Sequence, residues 1–320
     1  MDVFSALTSS LLSPMVLAFL LGITATLIRS DLKYPDGLYL TLTIYLLFAI
    51  GFKGGYQLSL TPLNEFILPA IAGLVLGMLI PIWSFFLLKK IGKFNSTNAA
   101  AIAAHYGSVS AVTFGEAIAF LDLMQVKYEG YMPALLAIME IPGIMAALLI
   151  AKKYTSNSTP LKSIVHELFT NKGTVLLIGG LIIGFLSGSK GYEQVSPLFD
   201  GLFRGILTLF LLEIGLVTGK KIGDLRKVGL FLIVFGILMP LIHATLAIII
   251  GKFIGLSPGG CMIFGVLAAS ASYIAAPAAV RIALPDANPT YYLTAALVIT
   301  FPFNVTVGLP LYYSIAQLFF

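Results

Sequence analysis

Two stretches decide how this chain folds. One is Asn98-Ala99-Ala100-Ala101-Ile102-Ala103-Ala104-His105-Tyr106-Gly107-Ser108-Val109-Ser110-Ala111-Val112-Thr113-Phe114-Gly115-Glu116; the other is Ala268-Ala269-Ser270-Ala271-Ser272-Tyr273-Ile274-Ala275-Ala276-Pro277. Each sets small and hydroxylated residues at the centre of an otherwise apolar run. Pro277 has no amide hydrogen and disturbs the turn before it, and Gly107 tolerates backbone angles closed to other residues. Both stretches therefore read as helices interrupted midway. At membrane depth, an interruption survives only where protein or a wet cavity satisfies the freed backbone groups.

If both helices break, the start of each second half presents amide groups and the positive end of the helix dipole. Two such ends facing each other hold an anion without a buried arginine, and no Lys or Arg falls within either stretch before Arg281. The opposite ends offer carbonyls, and the Ser and Thr hydroxyls add oxygens that suit a sodium ion. The competing account is that small residues around a serine merely let helices pack closely. Two patches at equivalent places of a repeat favour the site.

The surrounding composition sets the environment. Of 320 residues 58% are hydrophobic and only 10% charged, with mean hydropathy +0.99. A soluble domain carries about 25% charged residues, so a water-facing surface cannot be built, and a soluble enzyme, a disordered protein and a nucleic-acid module are excluded. What remains is an all-α polytopic membrane protein. Uncharged or nearly uncharged runs lie at about 11–28, 38–52, 66–88, 97–121, 130–151, 173–189, 205–219, 228–251, 257–280 and 288–319, each near the ~20 residues of a crossing. Ten transmembrane helices are expected, the two interrupted stretches being spans four and nine. The last run exceeds one span, and Pro302, Asn304 and Pro310 predict that it is bent or interrupted.

Basic residues set the orientation. Loops after odd-numbered spans hold 14 of the 19, and loops after even-numbered spans hold Lys53, Lys127, Lys190, Arg204 and Lys252. The positive-inside rule puts the 14 in the cytoplasm and both termini outside, at the periplasmic or extracellular face of the inner (plasma) membrane. No basic segment precedes the first apolar run, so a cleaved signal peptide is not expected. The single Cys261 excludes an intramolecular disulfide and a cysteine metal site.

The chain also repeats itself. Asp36-Gly37-Leu38, Ile50-Gly51 and Gly55 recur as Asp200-Gly201-Leu202, Ile214-Gly215 and Gly219, 164 positions later. Gly107 through Thr113 align with Ala269 through Ala275, and Ile141-Pro142 with Phe301-Pro302. The expected division is a first repeat at 1–152, a cytoplasmic connection at 153–172 and a second repeat at 173–320. An odd number of spans per half makes a 5+5 inverted repeat, an arrangement suited to alternating access. Three glutamates fall within spans, where charge is costly and usually functional. Glu140, just before Pro142, is a candidate to neutralise a coupling cation. Glu213 is equally a packing or oligomer contact, and Glu116, near the end of span four, is expected to reach water. His105 and His243 read as structural. Asn304 and Thr306 could supply ligands or satisfy backbone groups freed by the prolines.

The second interruption continues to Arg281, Pro285, Ala287-Asn288-Pro289 and Tyr292. Together with Gly107-Ser108-Val109-Ser110 and Leu225-Arg226-Lys227-Val228, it resembles the sodium-dependent bicarbonate transporter family known from cyanobacteria, over the whole chain. The resemblance implies interleaved gate and core domains, a homotrimer in membrane lipid, and sodium-coupled uptake of bicarbonate or a similar small inorganic anion. It implies sodium as coupling ion, no organic cofactor, and a PII-like regulatory protein at the cytoplasmic face. Substrate binding then falls to Gly107, Ser108, Val109, Ser110, Ser270, Ala271, Ser272 and Tyr273, and sodium binding to Ser110, Thr113, Glu140, Ser272 and Asn304. This chain departs from the cyanobacterial pattern at Tyr273, where that pattern is acidic, and at Ala271, where it has serine. The connection at 152–172 is also shorter than theirs. Other function classes are a cation/proton antiporter, which wants a carboxylate within the interrupted stretches, a membrane enzyme, which wants clustered acid/base or metal groups, and a non-transporting sensor.

Overall fold

The computed structural model describes residues 7, 8, 10–154 and 160–320. The start of the chain, where the signal-peptide expectation falls, and residues 155–159 of the connection lie outside the described residues. Among the described residues every regular element is helical. In chain order these are α1 (Pro14–Leu27), α2 (Asp36–Ser59), α3 (Leu63–Lys90), α4 (Ser96–Gly107), α5 (Ala111–Leu123), α6 (Met132–Tyr154) and α7 (Leu161–Thr170). They continue with α8 (Lys172–Ser196), α9 (Phe203–Lys221), α10 (Leu225–Phe253), α11 (Pro258–Ala269), α12 (Ala276–Ala283) and α13 (Pro289–Gln317), the last running through two widened turns at Thr294–Thr300 and Asn304–Gly308.

Six stretches are long and apolar enough to cross a membrane, and Pro14–Leu27 and Pro258–Ala269 are shorter apolar helices. One of the six, Phe203–Phe253, is 51 residues, about 75 Å at 1.5 Å per residue. That is more than twice a ~30 Å hydrocarbon core, and the stretch is divided between α9 and α10 by the tight turn Ile222–Asp224 and the left-handed Gly229 (φ 78°). The molecule is a multi-pass membrane protein.

The apolar surface points outward. On α3, Ile67, Ile71, Val75 and Leu79 form an exposed stripe at four-residue spacing, and Leu230, Val234, Leu238, Ile242 and Leu246 do the same on α10. Their opposite faces are buried through Leu76, Ile80 and Leu88 on α3, and Leu232, Phe235 and His243 on α10. The buried polar residues, among them Ser108, Ser110, Thr113, Glu116, Glu140, Ser270, Ser272 and Asn304, lie on or against the two interrupted helices.

Two close helix pairs form one side of the molecule. α2 packs along α8 and α1 along α9. Both seams use glycine: a Cβ on Gly51 or Gly55 would overlap the carbonyls of Leu177 or Leu181, and one on Gly184 that of Phe52. In the second seam, Cβ atoms on Gly22 and Gly215 would meet the carbonyls of Leu212 and Phe19. Gly51, Gly55 and Gly215 thus share a job, close backbone approach of helices, while Gly219 makes room for the Thr26 side chain. On the other side α3 packs on α4 and α6, and α10 on α11 and α13.

Three expectations change in detail. The second run ends at Phe52 because Lys53 interrupts it, yet α2 continues to Ser59; Lys53 places its Nζ 2.7 Å from Asp200, so its charge is met without ending the helix. The last run is irregular, as Pro302, Asn304 and Pro310 predict, but through widened turns at Thr294–Thr300 and Asn304–Gly308 rather than a gap in the helix, with Thr306 Oγ1 donating to the Pro302 carbonyl at 2.6 Å. The third concerns Gly107 and belongs to the site.

Candidate functional site

The first interruption starts where α4 ends. Gly107 is its last helical residue, with no left-handed angle. Its requirement is space: a Cβ there would lie 2.8 Å from Pro81 Cγ and 3.0 Å from Gly143 Cα, and one on Gly143 would overlap the Gly107 backbone. The expectation of an unusual backbone angle at Gly107 is corrected to a close crossing of α4 over α6, just after Pro142. Ser108 then turns to extended angles (φ −108°, ψ 155°). The chain resumes as α5, capped by Ser110, whose Oγ accepts from the Thr113 amide at 3.3 Å and from Thr113 Oγ1 at 3.0 Å. Serine suits this position because its oxygen replaces a missing carbonyl acceptor.

The second interruption follows the same plan. α11 starts under a Ser257 cap, itself held by Glu129, whose Oε1 accepts the Ser257 amide at 2.6 Å. α11 ends at Ala269, and Ser270 is extended (φ −82°, ψ 162°). Ser272 Oγ accepts from the amides of Ala275 and Ala276, each at 3.3 Å. Pro277 lies in the first turn of α12, where its missing amide costs nothing.

The two interruptions bind each other reciprocally. The Ser110 amide donates to Ser270 Oγ at 2.9 Å, and the Ser272 amide donates to the His105 carbonyl at 2.8 Å. Ser270 Oγ in turn donates to the Leu267 carbonyl at 2.9 Å. Asn304 Nδ2 donates to the Ala269 carbonyl at 3.0 Å and its Oδ1 accepts from Tyr312 at 2.7 Å. Asn304 therefore satisfies a carbonyl at the end of α11, freed by the interruption rather than by its neighbouring prolines. His105 is wholly buried, stacked on Tyr292 at 4.6 Å, with Nδ1 2.7 Å from the Ala101 carbonyl and Nε2 without a partner. His243 accepts from Trp83 Nε1 at 2.8 Å.

Between the interruptions lies a pocket of about 10 Å³ lined by Leu47, Val109, Ser110, Ala111, Glu140, Ser272, Tyr273 and Ile274. It holds about one water. Glu140 thus lies beside both interruptions, and its Oε1 also approaches Gly173 at the start of α8. Ser108 Oγ and the Tyr273 hydroxyl are buried without partners. Ala271, Ser270 and Thr113 are buried around the pocket. Tyr273 also lines a much larger vestibule of about 470 Å³ with Lys33, Tyr34, Tyr39, Glu213, Lys220 and Lys221. Glu213, read from sequence as a packing or oligomer contact, thus lies at a vestibule wall, and Lys33, Lys220 and Lys221 come from the basic loops; Tyr34 and Tyr39 carried no signal in the sequence. Glu116 is only 3% exposed, because α5 is covered by α11, α2 and α9, and its side chain faces an open cavity it shares with Arg204.

A family model described as the Na+-dependent bicarbonate transporter superfamily matches residues 14–317, almost the full chain. The chain belongs to the Na+-dependent bicarbonate transporter superfamily. No curated protein matches it. Membership in this superfamily makes it a member of a transporter family, with an inorganic anion as family substrate and sodium dependence as a family property. The two interruptions just described, and the small pocket between them, fall inside the matched region.

Proposed function

We propose that this protein is a secondary active transporter that couples sodium entry to uptake of bicarbonate, or a similarly small monovalent anion, by alternating access. The observation carrying this reading is the reciprocal bonding of the two interruptions, Ser110 amide to Ser270 Oγ and Ser272 amide to His105 carbonyl, beside the single carboxylate of Glu140. Main-chain polarity and hydroxyls at Gly107–Ser110 and Ser270–Tyr273 hold the anion; Ser110, Thr113, Glu140, Ser272 and Asn304 supply oxygens to sodium. A cation resting first beside Glu140 makes arrival of the anion electrostatically favourable, which is coupling by differential affinity. A pocket large enough for one water must open to admit bicarbonate, so Tyr273, its wall toward the vestibule, moves during the cycle.

The architecture supporting this reading is ten crossings in a 5+5 inverted repeat, divided at 1–152 and 173–320 around the 153–172 connection. Its support is an exchange of partners: the first helix of each half, α1 or α8, packs on the second of the other, α9 or α2. These four helices form the gate body, and α3–α6 with α10–α13 the core body. The basic vestibule faces the cytoplasm and both termini face outward across the inner membrane. A homotrimer embedded in lipid and a PII-like regulator at the cytoplasmic face complete the proposal.

The test is uptake of labelled bicarbonate by proteoliposomes with and without an inward sodium gradient. Sodium-stimulated uptake supports the reading. No stimulation with bicarbonate, but stimulation with another small anion such as acetate, would retain symport and replace the substrate.

A further inference from the structure

Glu116 stands apart from the pocket between the interruptions. It is 3% exposed, and its Oε1 is buried without a hydrogen-bond partner. The same side chain lines a second cavity, of about 220 Å³, bounded also by Ser10, Ser13, Arg204 and Thr208. This cavity lies on the side of Arg204, away from the vestibule of Lys33, Lys220 and Lys221. A buried carboxylate with a bare oxygen is costly unless a cation meets it. Arg204 is otherwise engaged, its guanidinium 2.9 Å from Asp122 Oδ2. Thr208 Oγ1 donates to the Arg204 carbonyl at 2.7 Å and Ser10 Oγ to the Val305 carbonyl at 3.5 Å. Their hydrogens are committed, and lone pairs remain for a cation.

We propose that Glu116, with the hydroxyl oxygens of Ser10 and Thr208, forms a second monovalent-cation site that takes a proton or a sodium ion from the Arg204 side. No group of three or more His, Cys, Asp or Glu side chains able to hold a metal occurs among the described residues, and one carboxylate suits a single positive charge. The charged and titratable neighbours come from each packed element. α9 contributes Arg204; α2 contributes Lys53, which shares the adjoining cavity with Asp122 and Asp200. α13 contributes Tyr313, whose ring meets that of Phe120 edge-on at 5.8 Å. The second interruption contributes Tyr273, whose hydroxyl is buried without a partner. This second site goes beyond the transport reading and does not require it.

The test is site-resolved modification of the purified full chain in detergent by dicyclohexylcarbodiimide, an apolar reagent that attacks protonated carboxyls, mapped by peptide mass spectrometry. For a sodium site, modification of Glu116 falls about tenfold when sodium replaces N-methylglucamine at constant pH, and Thr208→Val weakens that protection. For a proton site, it falls about tenfold per pH unit above the midpoint in sodium-free buffer. Glu116→Gln removes the modified peptide and serves as the control. Modification indifferent to both ions, or no modification at all, overturns the proposal. No transport is measured, so a negative result here leaves sodium-driven uptake standing, and failed uptake leaves this site standing.

Discussion

Ser270 Oγ sits between two backbone groups, accepting from the Ser110 amide and donating to the Leu267 carbonyl. Ser270→Ala leaves a buried amide unpaired, at a cost of about 1–3 kcal/mol. Its expected effect is loss of sodium-stimulated uptake from a protein that still elutes as a folded species; near-normal uptake would remove this hydroxyl from the site. Glu140→Gln removes the one carboxylate lining the pocket while keeping its shape. Uptake should then require a much higher sodium concentration, read as the half-saturating sodium in the same assay. The two interruptions were legible in the sequence because small and hydroxylated residues clustered in an apolar run favour a break there, and both helices do end at Gly107 and Ala269. The role of Gly107 was not, because its need for space is set by Gly143 and Pro81, which approach only once α4, α6 and α3 are packed. Asn304 and Glu116 were ambiguous for the same reason: Ala269 and Tyr312 decide the first, and the covering of α5 decides the second.

Helices α4 and α6 cross through glycine, and that contact positions the first interruption. In Gly143→Ala the new methyl would overlap the Gly107 backbone, so the crossing must widen. Overpacking of this kind costs about 1–3 kcal/mol, and the expected outcome is a lower thermal midpoint together with lost uptake. Gly179→Ala, at a position with open space around its Cβ, should leave both nearly unchanged. Helix positions were largely legible, since uncharged runs in a charge-poor chain have one explanation. The exceptions are instructive: the length of α2 depended on Asp200 accepting the Lys53 charge, and the continuity of α13 on widened turns, where the prolines signalled only a bend or an interruption.

One ion pair joins the two proposed bodies on the Arg204 side: Arg204 of α9 to Asp122 of α5. Both partners are partly exposed, so the pair is worth little as stability; the expectation is that it acts as a latch between the two bodies. Asp122→Asn, placed on an Ala119→Cys, Cys261→Ala background, should raise labelling of the new cysteine by a membrane-impermeant thiol reagent; unchanged labelling would deny the latch. The glycines matched by sequence spacing do serve packing, Gly51, Gly55 and Gly215 each against a backbone carbonyl of the neighbouring helix, whereas which bodies touch across the molecule depends on side-chain pairs that sequence spacing does not encode. The central proposal is that the two interruptions hold an anion whose binding is linked to sodium. Calorimetric titration of bicarbonate into the purified protein, without sodium and with sodium at saturation, tests it most directly. The expected result is affinity at least about tenfold tighter with sodium, a coupling of ~1.4 kcal/mol, abolished in Ser270→Ala. Equal affinity in both buffers would contradict it.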